Sequence, residues 1–144
     1  MDKYDLMRLT MDFQLLYTRY KQEETSICEQ MRKAVLELND NNDSFKFEYL
    51  YSKTAQISQL NIAELKDVRG EMRIKDSDKH RYETFDRLFE EYRSLREEYM
   101  QEMSSIVKQM NNNNDEYKIG GISILISDAT IEQLYIIANN INSK

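Results

Sequence analysis

The chain of 144 residues contains no proline and only three glycines. Proline removes a backbone hydrogen-bond donor and interrupts a helix, and glycine inside a helix costs about 1 kcal/mol relative to alanine. Few positions therefore force a helix to end, and long helices are the expected framework.

The first predicted helix runs from about Asp2 to Asn39. One face of this segment is apolar at spacings of three and four, with Leu6, Leu9, Phe13, Leu16, Tyr20, Ile27, Met31, Ala34 and Leu38. Such a stripe is typical of a coiled-coil seam or of the inner face of a bundle helix. At a rise of about 1.5 Å per residue this helix would be about 55 Å long.

The most regular stripe lies between a polar break at residues 75–78 and Met110, and Ser77 or Asp78 is expected to cap this helix. Its members are Tyr82, Phe85, Leu88, Tyr92, Leu95, Tyr99, Met103, Ile106 and Met110. Tyrosines are harder to desolvate than leucine and favour a partly wet seam. We take four of these residues as a protein interface, packed either within the chain or against another chain: Phe85, Tyr92, Leu95 and Tyr99.

The segment that follows the polar loop 39–44 supports two interpretations. Phe45, Phe47, Tyr49 and Tyr51 occupy alternate positions, which is a weak strand pattern. Apolar residues from Phe47 onward also continue at helical spacing, and a helix over about 45–74 is the prediction that we adopt. Gly70 is expected to fray or bend the end of that helix.

The pattern changes after the asparagine run 111–114. β-Branched residues flank Gly120 and Gly121, which predicts a short hairpin or one buried strand. Asp128 is expected to cap a last helix from Ala129 to about Ile141. The two similar asparagine-rich segments are interpreted as linkers and not as signs of an internal repeat.

Together these elements predict a mainly α fold. We expect an elongated antiparallel bundle or coiled coil of two to three long helices, with a short C-terminal β-hairpin or strand and a terminal helix. The expected domains are a long-helix region over 1–111 and a small strand–helix module over 112–144.

The residues that could carry chemistry do not form a known catalytic or metal-binding motif. The chain has one cysteine, one histidine and no glycine-rich phosphate loop. A calcium loop beginning at Asp76 would need glycine and glutamate at the positions of Arg81 and Arg87. We therefore expect no enzymatic activity, no cofactor and no metal.

Charge and hydropathy narrow the class of partner. The formal net charge of −6 disfavours binding to nucleic-acid backbones, and no apolar run is long enough to enter a membrane. The N-terminal segment lacks the apolar core of a secretory signal, so an intracellular location, cytoplasmic or nuclear, is expected.

The leading hypothesis is a non-enzymatic scaffold or adaptor subunit that forms homo- or hetero-oligomers with protein partners. Its C-terminal strand edge would dock a partner through Ile122, Ile124 and Ile126. The alternative is an acidic regulatory or inhibitory protein that acts on a nucleic-acid-handling machine by occupying a basic groove.

Overall fold

The computed structural model describes residues 1–48, 52–76 and 78–144 of the chain. Within these residues the chain is mainly helical, and the predicted C-terminal hairpin and terminal helix are confirmed. In chain order the elements are α1 (Lys3–Leu38), β1 (Ser44–Phe47), β2 (Lys53–Gln56), α2 (Ile62–Lys75), α3 (Glu83–Met110), β3 (Glu116–Ile119), β4 (Ile122–Leu125) and α4 (Ile131–Asn142). Short 3₁₀ turns precede α2, α3 and α4, at Ile57–Gln59, Lys79–Tyr82 and Ile126–Asp128.

The two long helices agree with the sequence prediction to within a few residues. Helix α1 begins and ends one residue inside the predicted range. Helix α3 begins at Glu83, after a 3₁₀ turn in which the Asp78 side chain accepts a hydrogen bond from the backbone nitrogen of His80 at 3.1 Å. Ser77, the other predicted cap, lies outside the described residues.

The prediction of one helix over 45–74 is wrong in its first part, which contains two strands, and is confirmed in its second part, which forms α2. Strands β1 and β2 pair antiparallel, with Phe45 opposite Ala55, and the alternating Phe45 and Phe47 are buried. Helix α2 begins only at Ile62, because Asn61 forms a reciprocal capping box with Glu64. The alternating tyrosines at 49 and 51 lie outside the described residues. Gly70 lies inside α2, five residues before its end.

The second hairpin has the predicted glycine turn. Gly120 and Gly121 adopt φ angles of 55° and 81°, and this left-handed conformation closes β3 onto β4 in a two-residue connection. The cap of α4 differs from the prediction. Thr130 forms a capping box with Gln133, whereas Asp128 belongs to the preceding 3₁₀ turn.

The interpretation of the asparagine-rich segments as linkers without an internal repeat is also wrong. The order long helix, loop, hairpin, 3₁₀ turn and shorter helix occurs twice. In the first loop Asp40 and Asn41 have φ angles of 55° and 61°, and in the second Asn112 and Asn113 have 56° and 62°. Asparagine and aspartate tolerate this left-handed backbone better than most residues. The loops are therefore two copies of one helix-ending turn.

Side-chain hydrogen bonds within the two loops repeat at a spacing of 72 residues. The Asn39 amide donates to the carbonyl oxygens of Asn42 at 2.7 Å and Ser44 at 3.1 Å. The Asn111 amide donates in the same way to the carbonyl oxygens of residues 114 and 116, at 2.8 and 3.0 Å. Each asparagine thus fastens the end of a long helix to the first strand of a hairpin.

An aspartate and a serine lock the base of each hairpin. The Asp43 carboxylate accepts hydrogen bonds from the backbone nitrogen and hydroxyl of Ser58, at 2.8 and 2.9 Å. Asp115 accepts the same pair from Ser127, at 2.9 and 2.7 Å. The spacing falls from 72 to 69 residues after the hairpins, because five residues join β1 to β2 and two join β3 to β4.

Buried residues recur at these two spacings. We define the first repeat as residues 11–72 and the second repeat as residues 83–141. Matched pairs that are at most 2% exposed are Phe13 and Phe85, Met31 and Met103, Val35 and Val107, Ile57 and Ile126, Leu65 and Leu134, and Val68 and Ile137. The repeat therefore extends from the loops into the hydrophobic core.

The described chain divides into two compact units. Unit 1 comprises residues 1–22 and 93–144, and unit 2 comprises residues 23–92. The core of unit 1 includes Leu9, Phe13, Tyr20, Met103, Val107, Ile126, Leu134 and Ile137. The core of unit 2 includes Met31, Val35, Phe47, Ile57, Leu65, Val68, Phe85 and Leu88. This grouping does not test independent folding, so the domains 1–111 and 112–144 stay a prediction.

Candidate protein-binding surface

The four predicted seam residues of α3 divide between the two units. Phe85 is 2% exposed in the core of unit 2, and Tyr92 is half-buried against that core. Leu95 is half-buried, and Tyr99 packs against the core of unit 1 with its ring edge-on to Tyr20 at 5.6 Å between centroids. Phe85, Tyr92 and Tyr99 thus take part in packing within the chain, and contact with a second chain stays a prediction.

A polar cluster in unit 1 ties three helices together. Arg96 on α3 donates to the hydroxyl of the fully buried Tyr20 on α1, at 2.8 Å. The same guanidinium binds both carboxylate oxygens of Glu132 in the first turn of α4, at 3.2 and 2.8 Å. Hydrogen bonding from Arg96 lowers the pKa of Glu132 below its usual value of 4.5. This cluster positions α4, and no local sequence pattern could reveal it, because its members lie 36 or more residues apart.

The three isoleucines predicted to dock a partner lie in different environments. Ile122 is 67% exposed, and Ile124 is half-buried against the core of unit 1. Ile126 has no exposed surface, because it fills the core beneath the hairpin. Its predicted docking role is therefore corrected, since a fully buried side chain cannot reach a docked protein.

Helix α1 carries a second apolar face in addition to the stripe predicted from the sequence. Tyr4, Met7, Met11 and Leu15 are 79%, 50%, 68% and 53% exposed. Spacings of three and four place them on one side of the helix, and we call them the α1 outer stripe. Leu9 and Phe13, which are buried, lie about 160° and 200° around the helix from Met11 at about 100° per residue. The outer stripe therefore faces away from the core.

A second group of exposed apolar residues lies near the C-terminus. Ile122 and Leu125 belong to β4, and Tyr135 and Ile136 belong to α4, and we call these four the C-terminal apolar residues. Leu125 is 49% exposed and Ile136 is 56% exposed. Tyr135 is 39% exposed, and its ring stacks on Tyr17 with 4.3 Å between centroids.

Exposed apolar side chains are concentrated in unit 1. Among the described residues ten large hydrophobic side chains are exposed, and unit 2 contributes one of them, Ile74. The other nine belong to unit 1: Met1, Tyr4, Met7, Met11, Leu15, Ile122, Leu125, Tyr135 and Ile136. The two units thus differ in surface although each contains part of α1, part of α3, a hairpin and a shorter helix.

Because of the repeat, each exposed apolar residue of unit 1 from Met11 onward can be compared with the residue at the matched position of unit 2. Unit 1 has apolar residues where unit 2 has polar or charged ones: Met11 matches Glu83, Leu15 matches Arg87, Ile122 matches Lys53, Leu125 matches Gln56, Tyr135 matches Lys66 and Ile136 matches Asp67. Unit 2 forms the same hairpin and short helix without these apolar groups. The fold therefore does not require them in unit 1.

Groups that could carry chemistry are either isolated or bound in structural contacts. Among the described residues no three histidine, cysteine or acidic side chains are placed to hold a metal ion. Burial raises the pKa of Cys28, whose thiol contacts the carbonyl oxygen of Leu60 at 3.7 Å, so this thiol is a poor nucleophile. A cavity of about 500 Å³ in unit 1 is lined mainly by polar residues, and its Asp115 is bound to Ser127.

No protein family, curated protein or solved structure matches the chain. None of the described helices has both the length and the apolar character needed to span a bilayer. Functional inference therefore rests on the surface of unit 1.

Proposed function

We propose that the protein is a non-enzymatic scaffold or adaptor subunit that binds other protein chains through unit 1. The observation that carries the proposal is the concentration of nine exposed apolar side chains, among the described residues, in one of the two compact units. Exposed apolar side chains gathered on one part of a protein are typical of interaction sites. Burying one large apolar side chain in an interface contributes about 1.5–3 kcal/mol, so a few of them suffice to drive association.

Unit 2 serves as the internal reference for this proposal. Scattered exposed hydrophobic residues are ordinary on any protein and need no special explanation. Here Lys53, Lys66 and Glu83 occupy positions where unit 1 has apolar groups, so polar residues are compatible with these sites. The apolar residues of unit 1 are thus better explained by a partner than by folding.

The long helices supply the frame for this surface in our proposal. We infer that α1 and α3 pair antiparallel, as in the predicted bundle or coiled coil. In unit 1, Leu9 shares a core with Val107, and in unit 2, Val35 shares a core with Leu88. Early residues of one helix thus share a core with late residues of the other, which supports antiparallel pairing.

The alternative, an acidic inhibitor of a basic groove, needs carboxylates gathered on one surface. Along α3 the acidic residues are interspersed with Arg87, Arg93 and Arg96. Arg96 also neutralises Glu132, the acidic residue in the first turn of α4. This mixed charge supports the inhibitor hypothesis less well than the exposed apolar surface of unit 1 supports the scaffold hypothesis.

The experiment that tests the proposal replaces the C-terminal apolar residues by those of unit 2. The intact chain serves as bait in cells that express it, and the partner is identified, purified and titrated by calorimetry. The triple variant Ile122→Lys, Leu125→Gln, Ile136→Asp should weaken binding at least about 10-fold, since each change removes exposed apolar area. Tyr135 is left intact because it stacks on Tyr17.

The matched control changes the corresponding residues of unit 2. Lys53→Ala with Lys66→Ala should leave the affinity within about 2-fold, and circular dichroism should give all variants the same helicity. Equal weakening of binding by the control and by the triple variant would contradict the proposal. So would the finding that the wild-type chain binds no purified protein with a Kd below about 100 μM. Deleting residues 115–144 is unsuitable, because it removes Ile126 and Leu134 from the core.

A further inference from the structure

The α1 outer stripe extends into a part of α1 that the second repeat does not have. At the spacing of 72 residues, the start of α3 at Glu83 matches Met11, whereas α1 begins eight residues earlier, at Lys3. These eight residues form about two additional turns and carry Tyr4 and Met7. The whole stripe covers about 16 Å of helix, which is enough for one side of a short helix pair.

The charges beside the stripe have opposite signs on one flank. Taking Met11 as the reference, Arg8 lies about 60° and Asp12 about 100° around the helix on the same side, while Lys3 lies about 80° away on the other side. Arg8 and Asp12 are exposed. Neither is joined to another described residue by an ion pair. Both are therefore available to a partner.

Antiparallel pairing of two α1 helices makes this flank complementary to itself. A two-fold axis near the middle of the stripe sets Tyr4 against Leu15 of the second copy and Met7 against Met11. The same register brings Arg8 opposite Asp12 of the second copy, and symmetry repeats the pair. Parallel pairing would instead set this flank beside the opposite flank of the second copy, which carries Lys3, Thr10 and Gln14, so Arg8 would meet no carboxylate there.

We propose that the α1 outer stripe binds a second copy of this chain as an antiparallel, two-fold symmetric helix pair. The inference rests on the proposed assembly role of unit 1 but concerns residues other than the C-terminal apolar residues. The two methionines suit such a contact, because their flexible thioethers adapt to an opposing side chain. Four apolar side chains per copy make a small interface, so the dimer is weak, with a Kd of about 10–500 μM.

Other occupants fit the stripe less well. A partner of uniform charge would face like charge at either Arg8 or Asp12. An anionic membrane surface would be repelled by Asp2, Asp5 and Asp12 and by the net charge of −6. A second copy supplies both charges in matching order.

The test measures self-association of the full chain by sedimentation equilibrium between about 5 μM and 1 mM. The variant Met11→Glu with Leu15→Arg introduces the residues that the second repeat has at positions 83 and 87. We expect it to weaken dimerisation by at least about 30-fold without changing helicity, since both side chains are exposed. The matched control, Ile122→Lys with Leu125→Gln, should leave the dimer intact.

A charge reversal tests the pairing direction. Arg8→Asp alone and Asp12→Arg alone should each weaken the dimer about 3- to 10-fold, because each opposes like charges across the axis. The double variant should restore most of the affinity. Parallel pairing predicts no such restoration, and an additive loss in the double variant would overturn the antiparallel arrangement.

Two further outcomes would overturn the dimer itself. One is a wild-type chain that stays monomeric at 1 mM. The other is a monomer that sediments with phosphatidylserine vesicles and loses this binding in the Met11→Glu, Leu15→Arg variant, which would assign the stripe to lipid. A monomeric chain that still binds its identified protein partner through the C-terminal apolar residues would refute this inference and leave the proposed function standing.

Discussion

Hairpin β1–β2 in unit 2 and hairpin β3–β4 in unit 1 are closed by the same contacts but present different side chains. At the base of each, an aspartate binds a serine through its backbone nitrogen and its hydroxyl. Beneath them Ile57 and Ile126 are each fully buried. On the outside, β2 carries Lys53 and Gln56 where β4 carries Ile122 and Leu125.

This difference separates what the fold requires from what it permits. Buried isoleucines, loop asparagines and capping boxes occur in both copies, so they mark the requirements of the fold. Exposed positions vary from charged to apolar between the repeats, so the fold does not determine them, and this is why the proposed function is assigned to the surface of unit 1. Comparing the two repeats of this chain position by position thus distinguishes structural residues from variable ones.

The two units also use different polar contacts to fix their shorter helices. In unit 2, Arg69 on α2 binds both carboxylate oxygens of Asp86, at 2.9 and 2.8 Å, and stacks 4.6 Å above the ring of Tyr82. In unit 1 the arginine lies on α3 instead, and Arg96 binds Glu132 of α4. The arginine of the ion pair therefore lies on the shorter helix in unit 2 and on the long helix in unit 1.

The largest expected effects come from the matched core isoleucines. Ile57→Ala and Ile126→Ala should each lower the free energy of unfolding by about 3 kcal/mol, because each leaves a cavity at a fully buried site. Urea denaturation followed by circular dichroism measures both. As a control, Ile136→Ala at an exposed helical site should change stability by less than about 0.5 kcal/mol. A difference of more than about 1.5 kcal/mol between the two core variants would break the equivalence of the units.

The loop asparagines should have the next largest effect. Asn39→Ala and Asn111→Ala each remove an amide that donates to two carbonyl oxygens, so each should destabilise the protein by about 1–2 kcal/mol. Asn41→Gly and Asn113→Gly should be nearly neutral, because glycine adopts a positive φ readily. Loss of stability in only one of the two alanine variants would show that the loops are not equivalent.

The long helices and the second hairpin could be predicted from the sequence because their signals are local. Apolar spacing defines α1 and α3, and two adjacent glycines define the β3–β4 turn. The first hairpin was missed because helical spacing over 47–72 outweighed a short alternation of four aromatic residues over 45–51. The capping box at Asn61 was the local signal that could have corrected this prediction.

The candidate surface was harder to predict for two physical reasons. The α1 outer stripe can be recognised as a surface only when the opposite face of the helix is known to be buried, and the predicted stripe is the one that packs in the core. The repeat was hidden because the hairpin connections differ by three residues, which shifts the spacing from 72 to 69. Once the loops are aligned, the apolar and polar exchanges between the units can be read directly from the sequence.

Gly70 should give a smaller, stabilising effect. It lies inside α2 with open space around the position of a Cβ, and its match in α4 is Asn139. Gly70→Ala should raise the free energy of unfolding by up to about 1 kcal/mol, since alanine restricts the unfolded chain and favours the helix. Asn139→Ala should stabilise by about half as much. Thermal and urea denaturation test both, and destabilisation by Gly70→Ala would mean that α2 requires glycine for a contact that α4 does not make.

The smallest effect concerns stability in acid and the ion pair between Arg96 and Glu132, which we call the clamp of unit 1. Because Arg96 lowers the pKa of Glu132 below 4.5, this pair stabilises the fold fully above pH 4.5 and loses its contribution as the pH falls through the folded pKa. Glu132 is partly exposed, so the contribution is less than about 1 kcal/mol. Glu132→Gln should therefore lower the urea midpoint at pH 7 and make little difference near pH 3. Glu98→Gln, at an exposed site on α3, should leave both midpoints unchanged. If Glu132→Gln had the same effect at pH 3 as at pH 7, the clamp would stabilise α4 through packing alone and not through charge.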